Sequence, residues 1–85
     1  MAQTETLHKA EDAAARQGWK VLDSEDFPGD GIIAPHSITL CETRGTQPFA
    51  THFFNRQDGG FCNGHYHDKI GEARQDFRHR VAKGR

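Results

Sequence analysis

The sequence predicts an α+β fold: a small antiparallel sheet of three to four strands, with an N-terminal and a C-terminal helix packed on one face. Three observations carry this. An Asp-Gly pair at positions 58 and 59 separates two aromatic-rich stretches, the signature of a β-hairpin. Residues 37–44, SITLCETR, alternate apolar and polar side chains as a half-buried strand does. Ile70, Ala73, Phe77 and Val81 recur at helical spacing.

Taken in order, residues Thr4 to Gln17 read as a first helix, capped by Thr4, with Glu5 in its first turn and Gly18 closing it in the left-handed conformation. Its apolar stripe is Leu7, Ala10 and Ala14. Trp19, Val21 and Leu22 supply a short strand or anchor, with Trp19 plugging the core or its edge. Asp23 to Gly31, DSEDFPGDG, holds four acids and no base around Pro28-Gly29 and reads as a solvated, turn-rich loop. Its spacing does not follow the calcium-loop pattern; its charge suits a basic partner. Ile32-Ile33-Ala34 is halted by Pro35, and Ser37 to Arg44 forms a strand with Ile38 and Leu40 on one face and Thr39, Cys41 and Thr43 on the other. Arg44 to Gln47 leads into the hairpin.

A two-residue Asp58-Gly59 loop pairs Gln57 with Gly60, Asn55 with Cys62, Phe53 with Gly64 and Thr51 with Tyr66. One face of the hairpin then carries Phe49, Thr51, Phe53, Cys62, Gly64 and Tyr66, the expected core face. The other carries His52, Phe54, Arg56, Phe61, Asn63, His65 and His67. Asp68 caps a final helix from about Lys69 to Lys83 whose stripe packs on the core face. Arg74, Arg78, Arg80, Lys83 and Arg85 fall on or near its solvent side.

The 85 residues suit one domain spanning 1–85. Mean hydropathy is low (-0.84), yet six Phe, one Trp and one Tyr argue against disorder. No apolar run approaches the roughly 20 residues of a membrane span, and the N-terminus lacks the basic start and apolar core of a signal peptide. A cytoplasmic protein without membrane contact is expected. Two cysteines are too few for a disulfide scaffold and point to free thiols. Residues 1–68 hold five Lys/Arg against ten Asp/Glu, and residues 69–85 hold six against two, so an acidic body carries a basic end.

Candidate sites follow from the hairpin. His52, His65 and His67, with Cys41 from the neighbouring strand, are the ligand types zinc takes. Their spacing matches no compact ligand motif, so no metal or cofactor is assigned. With both helices on one face, the opposite face presents His52, Phe54, Arg56, Phe61 and His65 to a partner, and the last helix adds Arg74 and Arg78. Exposed aromatic and Arg residues suit a protein interface, with another protein or a second copy as partner. They also suit stacking against single-stranded nucleic acid. The helix–strands–helix order is similar to that of double-stranded RNA-binding domains, whose basic start to the second helix is reduced here to Lys69. No nucleophile elbow, phosphate loop or spaced carboxylate pair is present, and a Cys–His pair lacks an orienting third residue, so no enzyme is expected.

Gly59-Gly60-Phe61, Gly64-His65-Tyr66, Ala73, Asp76-Phe77 and Arg80 resemble a pattern in short uncharacterised proteins of bacterial plasmids and integrated mobile elements. The resemblance covers the C-terminal third and implies a small accessory or inhibitory protein that works by binding. The expected function is non-catalytic binding through protein–protein contacts, with nucleic-acid binding as the first alternative and a small zinc-binding domain as the second.

Overall fold

Four strands form one antiparallel meander in the order β1-β2-β3-β4, with one helix before the sheet and one after it. The computed structural model describes residues 6–85. The elements are α1 (Ala10–Arg16), β1 (Lys20–Phe27), β2 (His36–Glu42), β3 (Phe49–Asn55), β4 (Gly60–His67) and α2 (Ile70–Lys83). The α+β class and its two terminal helices are as the sequence predicts. No helix among the described residues is long and apolar enough to cross a membrane.

The helices, however, lie on opposite faces of the sheet, not on one. Ile38 and Leu40 pack with Ala73 and Phe77 of α2, joined by Leu22, Phe27, Phe49, Phe53, Ile70 and Val81. Phe54 packs with Ala10 and Ala13 of α1, joined by Phe61. The reason lies in β2, where every residue from His36 to Cys41 is buried, which requires a layer on each side. Thr39 and Cys41 are small enough to bury under the alanines of α1, so their polarity does not mark an open face.

α1 is shorter than the predicted helix, with Lys9 at its N-cap position; the expected cap at Thr4 and Glu5 lies outside the described residues. His8 donates its backbone N–H to Arg56 O (2.8 Å), which ties the chain before α1 to the hairpin loop. Gly18 closes the helix at φ 77° as expected. Asp23 to Phe27, read as loop, continues β1. At a sheet edge the acidic side chains reach water while Phe27 anchors the strand by stacking on His36, 5.1 Å between ring centres. α2 has no side-chain cap from Asp68, and Gly84 ends it at φ 76°. Arg80, expected on the solvent side, is buried.

The hairpin register also differs from the predicted one. Asn55 pairs with Gly60, Phe54 with Phe61 and Phe53 with Cys62, so the loop has four residues, 56–59. Asn55 builds it: its side-chain oxygen accepts from the N–H groups of Gln57 (2.8 Å) and Asp58 (3.2 Å), and its carbonyl accepts from Gly59 (2.8 Å). Beyond Cys62 a bulge opposite His52 shifts the register, so that Thr51 faces His65, Ala50 faces Tyr66 and Phe49 faces His67. Asn63 takes up the bulge at φ 53°. Its consequence is large: Tyr66 moves to the α1 face, and His65 and His67 move to the α2 face.

Gly64 at this bulge lies where a Cβ would come within 2.6 Å of His52 Nε2. His52 is itself buried and cannot yield. Gly64→Ala is expected to destabilise the fold by about 1–3 kcal/mol, as overpacking does. Gly71→Ala, in helix with open space around it, should be neutral or stabilising by about 0.5–1 kcal/mol. Urea melts of the two variants check this; equal stability would show that the bulge can relax.

Candidate functional site

The residues expected on one open face divide among three environments. His52 and Phe54 are on the α1 face and buried, so neither can meet a partner directly. Arg56 is a structural clip: it donates to Phe27 O (2.7 Å) and His36 O (3.3 Å), with Asp26 at 3.9 Å. His65 and His67 are on the α2 face, while Arg74 and Arg78 stay exposed on α2. Cys41 and His52 therefore lie across the sheet from His65 and His67, and the four zinc-ligand candidates do not assemble. Burial pushes the Cys41 thiol up to about 11, against a lowering hydrogen bond from Thr39, so it stays in the unreactive thiol form. Both cysteines are free, Cys41 buried and Cys62 exposed.

Two constellations remain. The first is aromatic and lies on the α1 face, continuous through Phe54 and Phe61 with the packing of α1 on the sheet. Trp19 stacks on His52 (5.1 Å, 23°) and meets Phe61 at 5.4 Å. His52 meets Phe61 (5.3 Å) and Tyr66 (5.5 Å) edge-on, and Phe61 meets Phe54 at 4.8 Å. His52 is the floor of this cluster, and Trp19 and Phe61, both half-buried, with the exposed Tyr66 form its outer surface. The Tyr66 hydroxyl is 3.3 Å from His52 Nε2, while the buried His52 Nδ1 has no partner. Burial, with the Arg80 and His65 charges behind it, pushes His52 down to about 4.

The second constellation is polar and sits between β3, β4 and α2. Asp76 Oδ2 accepts from the Thr51 hydroxyl (2.5 Å) and is approached by His65 Nδ1 (2.9 Å) and His67 Nε2 (3.4 Å). Burial opposes the charge on Asp76, and the hydrogen bonds from Thr51, His65 and His67 outweigh it, so its acidity is raised beyond the ordinary carboxylate. Arg80 donates from Nη1 to Thr51 Oγ1 (3.0 Å), Thr51 O (3.3 Å) and Asn63 O (2.8 Å), holding the bulge in place. No family model matches the chain, and no curated protein or solved structure matches it either. Function therefore rests on these two constellations.

The sequence places Trp19 as a plug of the core or its edge, and the half-buried ring fits that; it places Tyr66 on the core face, whereas Tyr66 is exposed. Trp19 is sequence-remote from the hairpin, and Tyr66 changes face only because of the bulge. The α2 side of the polar site carried a signal, since Glu72, Asp76 and His79 share one helical face at i, i+4 and i+7.

Proposed function

We propose that this chain is a small, cytoplasmic, non-catalytic binding protein that engages another protein through the aromatic surface of Trp19, Phe61 and Tyr66. The observation that supports it most is the position of that surface. Trp19 meets Phe61, the buried His52 lies against Trp19, Phe61 and Tyr66, and the surface lies on the edge strand β4, whose eight residues include no Lys, Arg, Asp or Glu. Rigid aromatic anchors of this kind dominate the energetics of protein interfaces, and an edge strand without charges can accept a partner's extended segment. An accessory or inhibitory role fits such a module.

One observation favours nucleic acid as a second reading. Lys69, Arg74, Arg78, Lys83 and Arg85 are exposed, and among the described residues none is ion-paired. Site-specific photo-crosslinking separates the readings. A photoreactive residue at position 66 should give a discrete protein adduct in cells, and one at position 74 should not. Tyr66→Ala should then weaken binding of that partner roughly tenfold, in keeping with an aromatic hot spot, with little response to salt. Nucleic acid captured from position 74, with affinity falling steeply as salt rises, would replace the first reading with the second.

A further inference from the structure

His36 opens β2 and is buried, with its ring stacked between those of Phe27 (5.1 Å between centres, 16°) and Phe53 (4.4 Å, 14°). Both ring nitrogens meet carbonyl oxygens: Nδ1 lies 2.8 Å from Ala34 O and Nε2 lies 2.6 Å from Gly84 O. A carbonyl oxygen only accepts, so each contact needs an N–H on the ring. A neutral imidazole has one, and only the imidazolium has two. Either neutral tautomer would aim a nitrogen lone pair at a carbonyl oxygen, and the two phenyl rings hold the imidazole in that plane.

The surroundings suit a cation. Aromatic faces within about 6 Å attract one, and Gly84 O belongs to the C-terminal end of α2, the negative end of the helix dipole. Asp30 faces the ring from the β1–β2 connection and favours its charge. Lys83 on α2 and Arg56 on the hairpin loop, whose Nε donates to His36 O, oppose it. The two contacts differ in how firmly they are placed. Ala34 is two residues from His36, in a segment pinned by the Arg56 N–H donating to Pro35 O (2.9 Å). Gly84 is 48 residues away, in the last turn of the chain's final helix. When one proton leaves the ring, the contact free to separate is the one to Gly84.

We propose that His36 is a proton-controlled latch on the C-terminal end of α2. The doubly protonated ring closes it by donating to Ala34 O and Gly84 O together, and loss of the Nε2 proton opens it at Gly84. The closed latch seats the last turn, which carries the exposed Lys83 and Arg85, with Gly84 against Phe27. The folded chain makes the second contact only with the protonated ring. The latch therefore holds on the acid side of the ring's titration and releases on the alkaline side. It lies on the α2 face and is independent of the proposed interface of Trp19, Phe61 and Tyr66.

NMR of the isotope-labelled full chain tests this by following both His36 ring nitrogens and the carbonyl carbons of Ala34 and Gly84. The pH runs from about 5 to about 9, which brackets ordinary histidine titration. At the acid end both ring nitrogens should carry protons. As pH rises, Nε2 should lose its proton and the Gly84 carbonyl signal should shift with the same midpoint, while the Ala34 carbonyl moves far less. Hydrogen-exchange protection of the Gly84 and Arg85 amides should fall severalfold across that midpoint. His65 and His67 also act on α2 through Asp76, and His79 lies on it. In His36→Phe, which keeps three stacked rings and donates to neither carbonyl, the Gly84 signal should therefore stay still over the same range. A Gly84 carbonyl that ignores the His36 midpoint overturns the proposal. So does a Gly84 shift that persists in His36→Phe, or a His36 ring that keeps one protonation state throughout.

Discussion

Replacing Phe54 by alanine is expected to destabilise the protein by about 3–5 kcal/mol, the range of buried aromatic truncations. Phe54 is fully buried, the largest side chain among the described residues to be so, and it joins α1 to the sheet by packing on Ala10, Ala13 and Phe61. The alanines of α1 are too small to fill the cavity left behind. A chain of 85 residues is stable by roughly 4–13 kcal/mol in total, so the loss takes much of what is there. Phe61→Ala, at a half-buried position, should lose less, about 1–2 kcal/mol. Urea denaturation of both variants gives the comparison. A loss below about 1 kcal/mol for Phe54→Ala would show that the α1 side is not a core, and the sheet would have the open face that alternation in sequence suggests.

That open face illustrates what sequence periodicity can and cannot settle. The stripe of Ile70, Ala73, Phe77 and Val81 identifies both α2 and the face it covers, because large apolar residues at helical spacing admit one reading. The buried residues of α1 itself are alanines, Ala10, Ala13 and Ala14, which show that the helix approaches something closely but not which face it approaches. The alternation of β2 likewise separates Ile38 and Leu40 from Thr39 and Cys41 correctly. It cannot show that the second pair is buried too, since a small polar residue fits beneath a small-residue helix as well as it meets water.

The hairpin shows the same limit at the level of the site. Asp58-Gly59 marks the turn, with Gly59 at φ 82°, but the loop length is decided by the Asn55 side chain capturing two backbone N–H groups. Strand side chains have a period of two, so one extra residue at the bulge reverses every side chain after it. Read without the bulge, the sequence groups His65 and His67 with His52; with it, that cluster divides in two. Asp76, eleven residues beyond His65, is brought to the histidines by the α2 packing that the Phe77 stripe fixes. The pairing was latent in the helix, unreadable without the register of β4.

His52 carries the second large expectation, an acid lability that can be assigned to one side chain. Its folded value near 4 lies below the ordinary 6.5, because burial disfavours the charged ring and the Arg80 and His65 charges add to this. Above pH 6.5 the ring is neutral in both the folded and unfolded chains and favours neither. Between 6.5 and 4 the unfolded chain takes up a proton that the folded chain does not, so stability falls as pH falls. The full loss, about 3 kcal/mol, is reached near pH 4. Other groups titrate over the same range, and a difference measurement removes them. His52→Phe keeps a ring between Trp19 and Phe61 and discards both the titration and the unpartnered Nδ1. At pH 7.5 this variant should be as stable as the wild type or more so, because a buried polar atom without a partner is worth about 1–3 kcal/mol of penalty. Its advantage should widen by about 3 kcal/mol between pH 7.5 and 4 in urea melts. Parallel stability profiles would mean that His52 takes up its proton in the folded state, and the aromatic surface would then rest on a charged floor, with acidic partners favoured over apolar ones.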